Sequence, residues 1–269
     1  MKTTRRPARG CPEPETRNLR VAAILQARMG SIRLPGKCMA DIVGHPLLFH
    51  VVERLKRIKG VDDIVIATST LEEDKIILEK AAAWGVSSFA GSADDVLARY
   101  VEAARGIGAS IIIRATGDNP LFCPESLSHA LARHIKKEAD YTFMEDFPLG
   151  TGFSCVAMKA LLRIHNILDE LHYHREHVTS FIHAQPEDFR IEKLQAPPCL
   201  RRPELRLTVD TEEDLSLMRE IYKRLYRPGE IIDLKEVIKL LDAEPELALI
   251  NAHIRQKKPE NKDADRLQG

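Results

Sequence analysis

The chain has 269 residues, and its 40 lysines and arginines are balanced by 40 aspartates and glutamates, which gives a formal net charge of zero at pH 7. Because no whole-molecule field attracts polyanions and no run of about 18 apolar residues occurs, we expect no nucleic-acid partner and no membrane partner. The length and the 44% hydrophobic content fit one large domain or two modest ones.

The two ends of the chain differ in composition from its middle. Residues 1–18 are basic and rich in proline, without the apolar segment that a signal peptide requires. Residues 254–269 are charged and contain few apolar side chains. We therefore predict a disordered tail at 1–18, one domain at 19–253 and a solvated tail at 254–269.

The cysteines are odd in number and far apart in the sequence. They are Cys11, Cys38, Cys123, Cys155 and Cys199. Without a C-x-x-C pair, this spacing supports neither a zinc ribbon nor a disulfide framework. Reduced cysteines are typical of the cytoplasm, which is the location that we expect.

Strand and helix patterns alternate through the first half of the chain. Strands are predicted at 20–27, 63–70, 86–91 and 109–117, and helices at 45–58, 72–85, 94–106 and 124–137. Asp94 is the predicted N-cap of the third of these helices. Continuous Val- and Ile-rich strands between helices indicate an α/β fold, with a mainly parallel sheet and helices on both faces.

The second half is less regular. Strands are predicted at 140–144, 152–158, 189–196 and 203–210, helical segments over about 159–183 with a break near Glu170, and a helix at 212–225. We interpret residues 140–200 as a small β-containing excursion from the main domain.

A glycine-rich basic loop follows the first predicted strand. The stretch "LQARMGSIRLPGK" (residues 25–37) is not a Walker A loop, because five residues instead of four separate Gly30 from Gly36 and Cys38 replaces the metal-binding hydroxyl. Three cations, Arg28, Arg33 and Lys37, accompany the glycines. Guanidinium groups and ammonium groups beside a flexible backbone suit a triphosphate. The alternative interpretation is an ordinary basic surface loop.

Two aspartates follow later predicted strands, at the ends where open α/β sheets bind ligands. Asp118 lies in "RATGDNPLFCPE", and Asp210 lies in "LTVDTEEDL". Either carboxylate suits Mg²⁺, which proteins hold through one or two carboxylates plus substrate phosphates. Asp118 could equally organise an Asx-turn, and Asp210 could close a simple strand-end turn. Thr211 and Asp214 resemble a capping box, which explains them without a catalytic role.

Two further patterns are weaker signals. The segment "LHYHREHVTSFIH" holds His172, His174, His177 and His183. Their spacing does not match an i, i+4 metal pair, so we expect surface or partner-contacting histidines, with a zinc site as a minor alternative. The Gly-Thr-Gly at 150–152 lacks the rest of a dinucleotide fingerprint and is not interpreted as one.

Several of these stretches together resemble the cytidylyltransferase family. The matching motifs are, in order, "LQARMGSIRLPGK", "IVIATSTLEED", "GSADDVLARYVEAA", "RATGDNPL", "REHVTSFI" and "LRLTVDTEEDL". The family includes spore-coat polysaccharide, acylneuraminate and CMP-Kdo enzymes, and the resemblance to the spore-coat type is strongest and covers about residues 20–225. It implies a nucleotidyltransferase (GT-A-like) fold, a homodimer with its contact near residues 140–200, and transfer of CMP from CTP to an acidic sugar or similar acceptor with release of pyrophosphate.

The resemblance also implies roles for individual residues. The backbone of Leu25, Gln26 and Ala27 would recognise the base, Gly30, Ser31, Arg28, Arg33 and Lys37 would bind the triphosphate, and Asp118 and Asp210 would hold Mg²⁺. Arg28, Lys37 and Asp118 would then be the catalytic set.

The chain departs from the family pattern in one place. Spore-coat-type relatives carry an acidic stretch such as Asp-Gly-Leu-Asp-Val-Glu where this sequence has Leu-Gly-Thr-Gly-Phe-Ser at 149–154. Three acidic positions are neutral here, so the sequence does not identify the acceptor. Two alternatives to the CTP enzyme are a nucleotidyltransferase that uses another nucleotide and a catalytically idle nucleotide-binding module.

Overall fold

The computed structural model of the chain describes residues 19–168 and 172–256. The predicted tail at 1–18 lies outside the described residues, as do all but the first three residues of the predicted tail at 254–269.

The elements follow one another as alternating strands and helices in the first half of the chain. The strands are β1 Val21–Gln26, β2 Asp41–Ile42, β3 His45–Pro46, β4 Asp63–Ser69, β5 Ser87–Gly91, β6 Ile111–Thr116, β7 Tyr141–Glu145, β8 Ser154–Ala157 and β9 Ile191–Gln195. The helices are α1 Leu47–Leu55, α2 Lys75–Ala83, α3 Val96–Gly106, α4 Pro124–Lys137, α5 Met158–Ile167, α6 His172–Glu176, α7 Ser180–Ala184, α8 Glu212–Leu225, α9 Leu234–Ala243 and α10 Pro245–Leu249.

Seven strands form the main sheet, in the order β5-β4-β1-β6-β8-β7-β9, and β2 and β3 form a small separate hairpin. Strands β5, β4, β1 and β6 are parallel, and β8 runs antiparallel to both of its neighbours. The prediction of a mainly parallel sheet is confirmed. The strands of the predicted excursion extend this same sheet, with β9 parallel to β7.

Both faces of the sheet are buried, which explains the continuous apolar strands. In β1, Ala23 and Leu25 pack into a core beneath α1, α4, α8 and α9, while Ala22 and Ile24 pack against α3 and α5. Helices therefore cover both faces, as predicted. In such a sheet the carboxyl ends of β1, β4 and β6 meet at one edge, where ligands bind.

Helix α3 shows that a predicted N-cap was wrong by one residue. The helix begins at Val96, and its cap is Asp95, whose carboxylate accepts a hydrogen bond from the Ala98 N–H at 2.8 Å. Asp94 lies one residue too early to reach that turn, and its own N–H donates to the Ser92 hydroxyl.

The predicted strand at 203–210 is also wrong. This segment joins the rest of the fold through an isolated bridge between Leu149 and Arg206. Residues 205–210 are all buried, so the alternation in the sequence does not mark a half-exposed strand. The neighbouring chain approaches closely, because a Cβ on Gly150 (φ 90°) would lie 2.6 Å from the Thr208 nitrogen.

Helices α9 and α10 follow α8 and were not predicted from the sequence. Leu234, Val237 and Leu241 of α9 are buried in the same core as α8. The longest helices in the described part of the chain, α4 and α8, have 14 residues each, fewer than the about 20 that a bilayer crossing requires.

Candidate active site

The basic loop after β1 is a compact turn. The N–H groups of Ser31 and Gly36 both donate to the Met29 carbonyl, at 2.8 and 2.9 Å. Gly36 has φ 70°, the left-handed conformation that glycine adopts without strain, and a single 3₁₀ turn starts directly after it at Lys37. This geometry turns Lys37 back towards the edge of the sheet.

A buried aspartate holds the loop against β4. Asp74 is fully buried and accepts the Met29 N–H at 2.6 Å and the Ser69 N–H at 3.3 Å. It also accepts the Ser69 hydroxyl. Because a buried carboxylate must be hydrogen-bonded, Asp74 fixes the loop to the carboxyl end of β4.

Lys37 links the two aspartates that were predicted as metal ligands. Its Nζ donates to Asp118 Oδ2 at 2.9 Å, to Asp210 Oδ1 at 2.8 Å and to the Val209 carbonyl at 2.9 Å. Arg33 Nη2 lies 3.0 Å from Asp210 Oδ2. We call Arg33, Lys37, Asp118 and Asp210 the site cluster; these four predicted residues meet at the carboxyl edge of the sheet.

The charges in the site cluster stabilise one another. Burial by itself would raise the pKa of Asp210, but Lys37, Arg33 and Arg206 outweigh it and hold the pKa below its ordinary value. Burial would likewise lower the pKa of Lys37, and Asp118 and Asp210 outweigh it and raise the pKa. Lys37 is therefore an ammonium and Asp210 a carboxylate at neutral pH.

A second charged group lies behind Asp210, and sequence reasoning missed most of it. Arg206 contacts both oxygens of Asp214, at 2.8 and 2.9 Å, and its Nη2 lies 3.0 Å from Asp210 Oδ2. Asn251 donates to Asp214 Oδ1 at 2.8 Å and to the Arg206 carbonyl at 3.0 Å. We call Arg206, Asp214 and Asn251 the support cluster.

The predicted capping box is part of this arrangement. Thr211 and Asp214 form it as expected at the start of α8. The Asp214 carboxylate also accepts the Asp210 N–H at 2.9 Å. The capping residue therefore holds the backbone of a site-cluster residue, a role that the capping pattern did not reveal.

Other predicted residues lie near the site cluster without joining it. Arg28 is exposed, and its Nη2 lies 4.0 Å from Glu176 Oε1. Gly30 is exposed beside Glu73, and the Ser31 hydroxyl accepts the Leu34 N–H at 3.4 Å.

The strand residues proposed to recognise the base lie at the end of β1. Leu25 is fully buried between β4 and β6. The Gln26 carbonyl accepts the Gly117 N–H at 2.9 Å, and the Ala27 N–H donates to Ala67 at 3.2 Å. These two backbone groups are thus engaged in the sheet.

Several side chains in the described part of the chain hold buried polar atoms without a hydrogen-bond partner. Two of them are Gln26, through Oε1, and Arg99, through Nε and Nη2. Burial lowers the pKa of Arg99, and the nearby positive charge of Arg28 lowers it further. Arg99 was missed, although its place in "DDVLARY" put it on the face of α3 that packs on the sheet.

The donor set of Asp118 and Asp210 fits a magnesium ion. Both carboxylates reach a single cationic nitrogen, so a small cation can be shared between them. Within residues 19–168 and 172–256, no group of three or more His, Cys, Asp or Glu side chains is arranged for a metal. Two carboxylates completed by substrate phosphates are the usual surroundings of protein-bound Mg²⁺.

The histidine-rich segment differs from the expectation of surface histidines. His174 is fully buried in α6, and its Nδ1 lies 2.8 Å from the Ser180 hydroxyl. His183 packs edge-on against Tyr141 and Phe143. The prediction of surface histidines was therefore wrong for His174, because α6 packs against α3 rather than facing solvent.

A cytidylyltransferase family model matches residues 22–243. The chain belongs to the cytidylyltransferase family. It is 37% identical over 230 residues to the Bacillus subtilis spore coat polysaccharide biosynthesis protein SpsF, a match that covers 84% of this chain and 95% of the relative. The family membership confirms the prediction of a CTP-dependent nucleotidyltransferase.

Two further similarities agree with this assignment. A 3-deoxy-manno-octulosonate cytidylyltransferase of Anaeromyxobacter dehalogenans is 41% identical over 109 residues, which is 40% of this chain and 44% of the relative. The structure of a cytidylyltransferase from Leptospira borgpetersenii superposes with a TM-score of 0.80 at 26% identity, over 89% of this chain and all of that one. The predicted nucleotidyltransferase fold is therefore confirmed.

Proposed function

We propose that this cytidylyltransferase transfers CMP from CTP to an acidic sugar or similar acceptor in glycan biosynthesis and releases pyrophosphate. The observation that supports this proposal most directly is the site cluster. There, at the carboxyl edge of the sheet, the Lys37 ammonium contacts the carboxylates of Asp118 and Asp210, and the Arg33 guanidinium contacts that of Asp210. The acidic acceptor is supported by the similarity to the 3-deoxy-manno-octulosonate enzyme.

The cations of the site bind the triphosphate. Arg33 and Lys37, with Arg28 at the rim, are the side chains that reach phosphate oxygens. As phosphate oxygens take over Lys37 and Arg33, the oxygens of Asp118 and Asp210 are released to hold Mg²⁺. Bound there, Mg²⁺ would neutralise negative charge on the phosphates.

The chemistry is an in-line displacement at the α-phosphorus. An acceptor oxygen forms the new P–O bond as the bond to the bridging oxygen of the β-phosphate breaks, and pyrophosphate leaves with that electron pair. The hydroxyl proton of the acceptor passes to water. Lys37 and Arg33 stabilise the charge that grows on the leaving group, so this protein acts by positioning and electrostatics.

A separate experiment tests which nucleotide the enzyme uses. Purified protein is mixed with Mg²⁺, a panel of acidic sugars and each of CTP, UTP, GTP, ATP and dTTP, and pyrophosphate release is measured. We expect release with CTP. Preference for another nucleotide would establish the alternative nucleotidyltransferase, and nucleotide binding without release from any pair would establish the idle binding module.

Besides the roles of the individual site residues and the binding of Mg²⁺, three expectations from the sequence stay predictions. They are the domain limits at 19–253, a cytoplasmic location, and a homodimer with its contact near residues 140–200. Light scattering of the purified protein tests the homodimer, with a mass of about twice 30.3 kDa as the expected result.

A further inference from the structure

A cavity opens beside Asn119, on the side of β6 away from β1 and its basic loop. Its volume is about 210 Å³, and it lies at the edge of the sheet where β6 and β7 end and the antiparallel β8 begins. Its lining residues are Arg114, Thr116, Asn119, Tyr141, Phe143, Met144, Gly152, Phe153 and Ser154. Asn119 follows Asp118 directly, so a molecule in this cavity lies next to the predicted metal ligand.

Arg114 is the cation of this cavity, and its charge lacks an acidic partner among the described residues. Its Nε is buried without a hydrogen bond. Its neighbour across the sheet is Ser154 of β8, whose short side chain carries no charge. Arg114 is half-buried, and a partly buried guanidinium without a counter-charge pairs favourably with an anion that enters from outside the fold.

The contrast with Arg54 shows what a structural arginine looks like in this protein. Arg54 is also buried, but its Nε and Nη1 donate to the carbonyls of Phe122 and Ile232, both at 2.7 Å. Its donors are thus used within the fold. Arg114 is left with a buried donor beside a cavity, which is the arrangement of a binding group.

The remaining lining suits a sugar-like molecule rather than a bare ion. Asn119 donates to the Thr116 hydroxyl at 2.8 Å, and its Oδ1 is buried without a partner, so it can accept a ligand hydroxyl. Tyr141 and Phe143 stack with ring centroids 5.4 Å apart and form one wall. Aromatic faces pack against the apolar faces of sugar rings, while the polar groups orient the hydroxyls.

We propose that Arg114 binds the acid group of the acceptor, a carboxylate or a phosphate, and that the cavity beside it holds the body of the acceptor. This inference rests on the proposed function for the role of the bound acid as acceptor. The binding itself does not depend on CTP.

The first test measures binding without nucleotide. Calorimetry with 3-deoxy-manno-octulosonate, glucose 1-phosphate and glucose should show binding of one or both acids and at least 10-fold weaker binding of glucose. Which acid binds distinguishes a carboxylate from a phosphate as the recognised group. Equal binding of glucose, or binding of neither acid, would overturn the inference.

The second test changes the charge of the cavity. Arg114→Gln should weaken acid binding roughly 10- to 100-fold, as expected for the loss of a charged hydrogen bond, and Arg114→Lys should restore part of it. Ser154→Glu places a carboxylate opposite Arg114 and should weaken acid binding in the same way. Arg105→Gln, at an exposed arginine of α3, is the matched control and should bind like the wild type.

Turnover separates this inference from the proposed function. If acids bind and Arg114→Gln abolishes the binding, but no nucleotide yields pyrophosphate, the function is wrong and the anion site stands. If acids are turned over with CTP and Arg114→Gln leaves their KM unchanged, the anion site is wrong and the function stands. With both correct, Arg114→Gln raises KM for the acid while KM for CTP stays within about twofold.

Discussion

The site cluster and the support cluster contain the same kinds of charged groups, touch each other at Asp210, and differ in burial. In the site cluster the Asp118 and Arg33 side chains keep 24% and 31% of their surface exposed, and Lys37 and Asp210 keep 15% and 11%. In the support cluster the Arg206 and Asp214 side chains keep 7% and 0%. The site cluster therefore reaches solvent through Asp118 and Arg33, whereas the Arg206–Asp214 pair lies inside the protein.

This difference assigns the two clusters different tasks. An ion pair at the surface contributes little to stability and can exchange its partners for phosphate or metal. A buried pair cannot lose a partner without leaving an unpaired charge in the interior. The site cluster is therefore suited to ligand exchange, and the support cluster to holding Asp210 in place during that exchange.

The largest effect is expected on kcat, from a substitution in the site cluster. Asp118→Asn should lower kcat by about a thousandfold, because the loss of a charge-stabilising group at the reacting phosphate is of that order. Its unfolding free energy should stay within about 1 kcal/mol of the wild type, since the pair with Lys37 borders solvent. Steady-state pyrophosphate release and urea unfolding measure the two quantities, with the exposed Asp94→Asn as control. A wild-type rate in Mg²⁺ would refute the metal role of Asp118.

The second prediction concerns a substitution that removes a charge from the support cluster. Asp214→Asn should lower the unfolding free energy by about 3 kcal/mol, because it leaves the buried Arg206 without its carboxylate. Urea unfolding gives this value directly. A loss below 1 kcal/mol would mean that Asp214 behaves like a surface residue, and the distinction between the two clusters would fail.

Substitution of Lys37 tests whether Asp118 and Asp210 can exchange the ammonium group for a metal ion. Lys37→Ala should raise KM for CTP roughly 10- to 100-fold through the lost charged hydrogen bond. Without nucleotide, the same variant should bind Mn²⁺ more tightly than the wild type, since the ammonium no longer competes for Asp118 and Asp210. Kinetics and calorimetric titration measure the two effects, with the exposed Lys59→Ala as control. Unchanged or weaker Mn²⁺ binding would contradict the competition.

The smallest effect is a pH dependence of stability. Burial tends to raise the pKa of Asp214, but hydrogen bonds from Arg206 and Asn251 hold it below the ordinary 3.8. The unfolded chain therefore takes up this proton first, and the stabilisation present above pH 3.8 is lost as the pH falls through the folded pKa. Unfolding free energies between pH 6 and 3 should fall less steeply in Asp214→Asn than in the wild type. Parallel curves would show that Asp214 does not carry this dependence.

Local patterns predicted much of the fold correctly. Helices α4 and α8 have the predicted bounds, because Pro124 and the capping box at Thr211 mark their starts. Strands β1, β4 and β6 were found because each contains a run of apolar residues between helices. The segment 203–210 failed because its alternating pattern is buried on all sides, a feature that depends on neighbours distant in sequence.

The sequence predicted which residues form the candidate site better than it predicted their contacts. Arg33, Lys37, Asp118 and Asp210 were selected for their positions after strands, and the structure brings them together. Arg206 lies within the motif "LRLTVDTEEDL", but nothing in the local sequence predicted that it contacts Asp210 and Asp214.

By itself, the sequence determined the family, the α/β architecture and the residue types at the edge of the sheet, because these depend on short motifs and local periodicity. Only the tertiary structure decided that Lys37 lies between Asp118 and Asp210, which are 81 and 173 residues away along the chain. It also decided that Arg114 faces a cavity while Arg54 is satisfied within the core. The physical reason is that the pairing of a charge depends on which distant segments share its surroundings, and local sequence does not encode that choice.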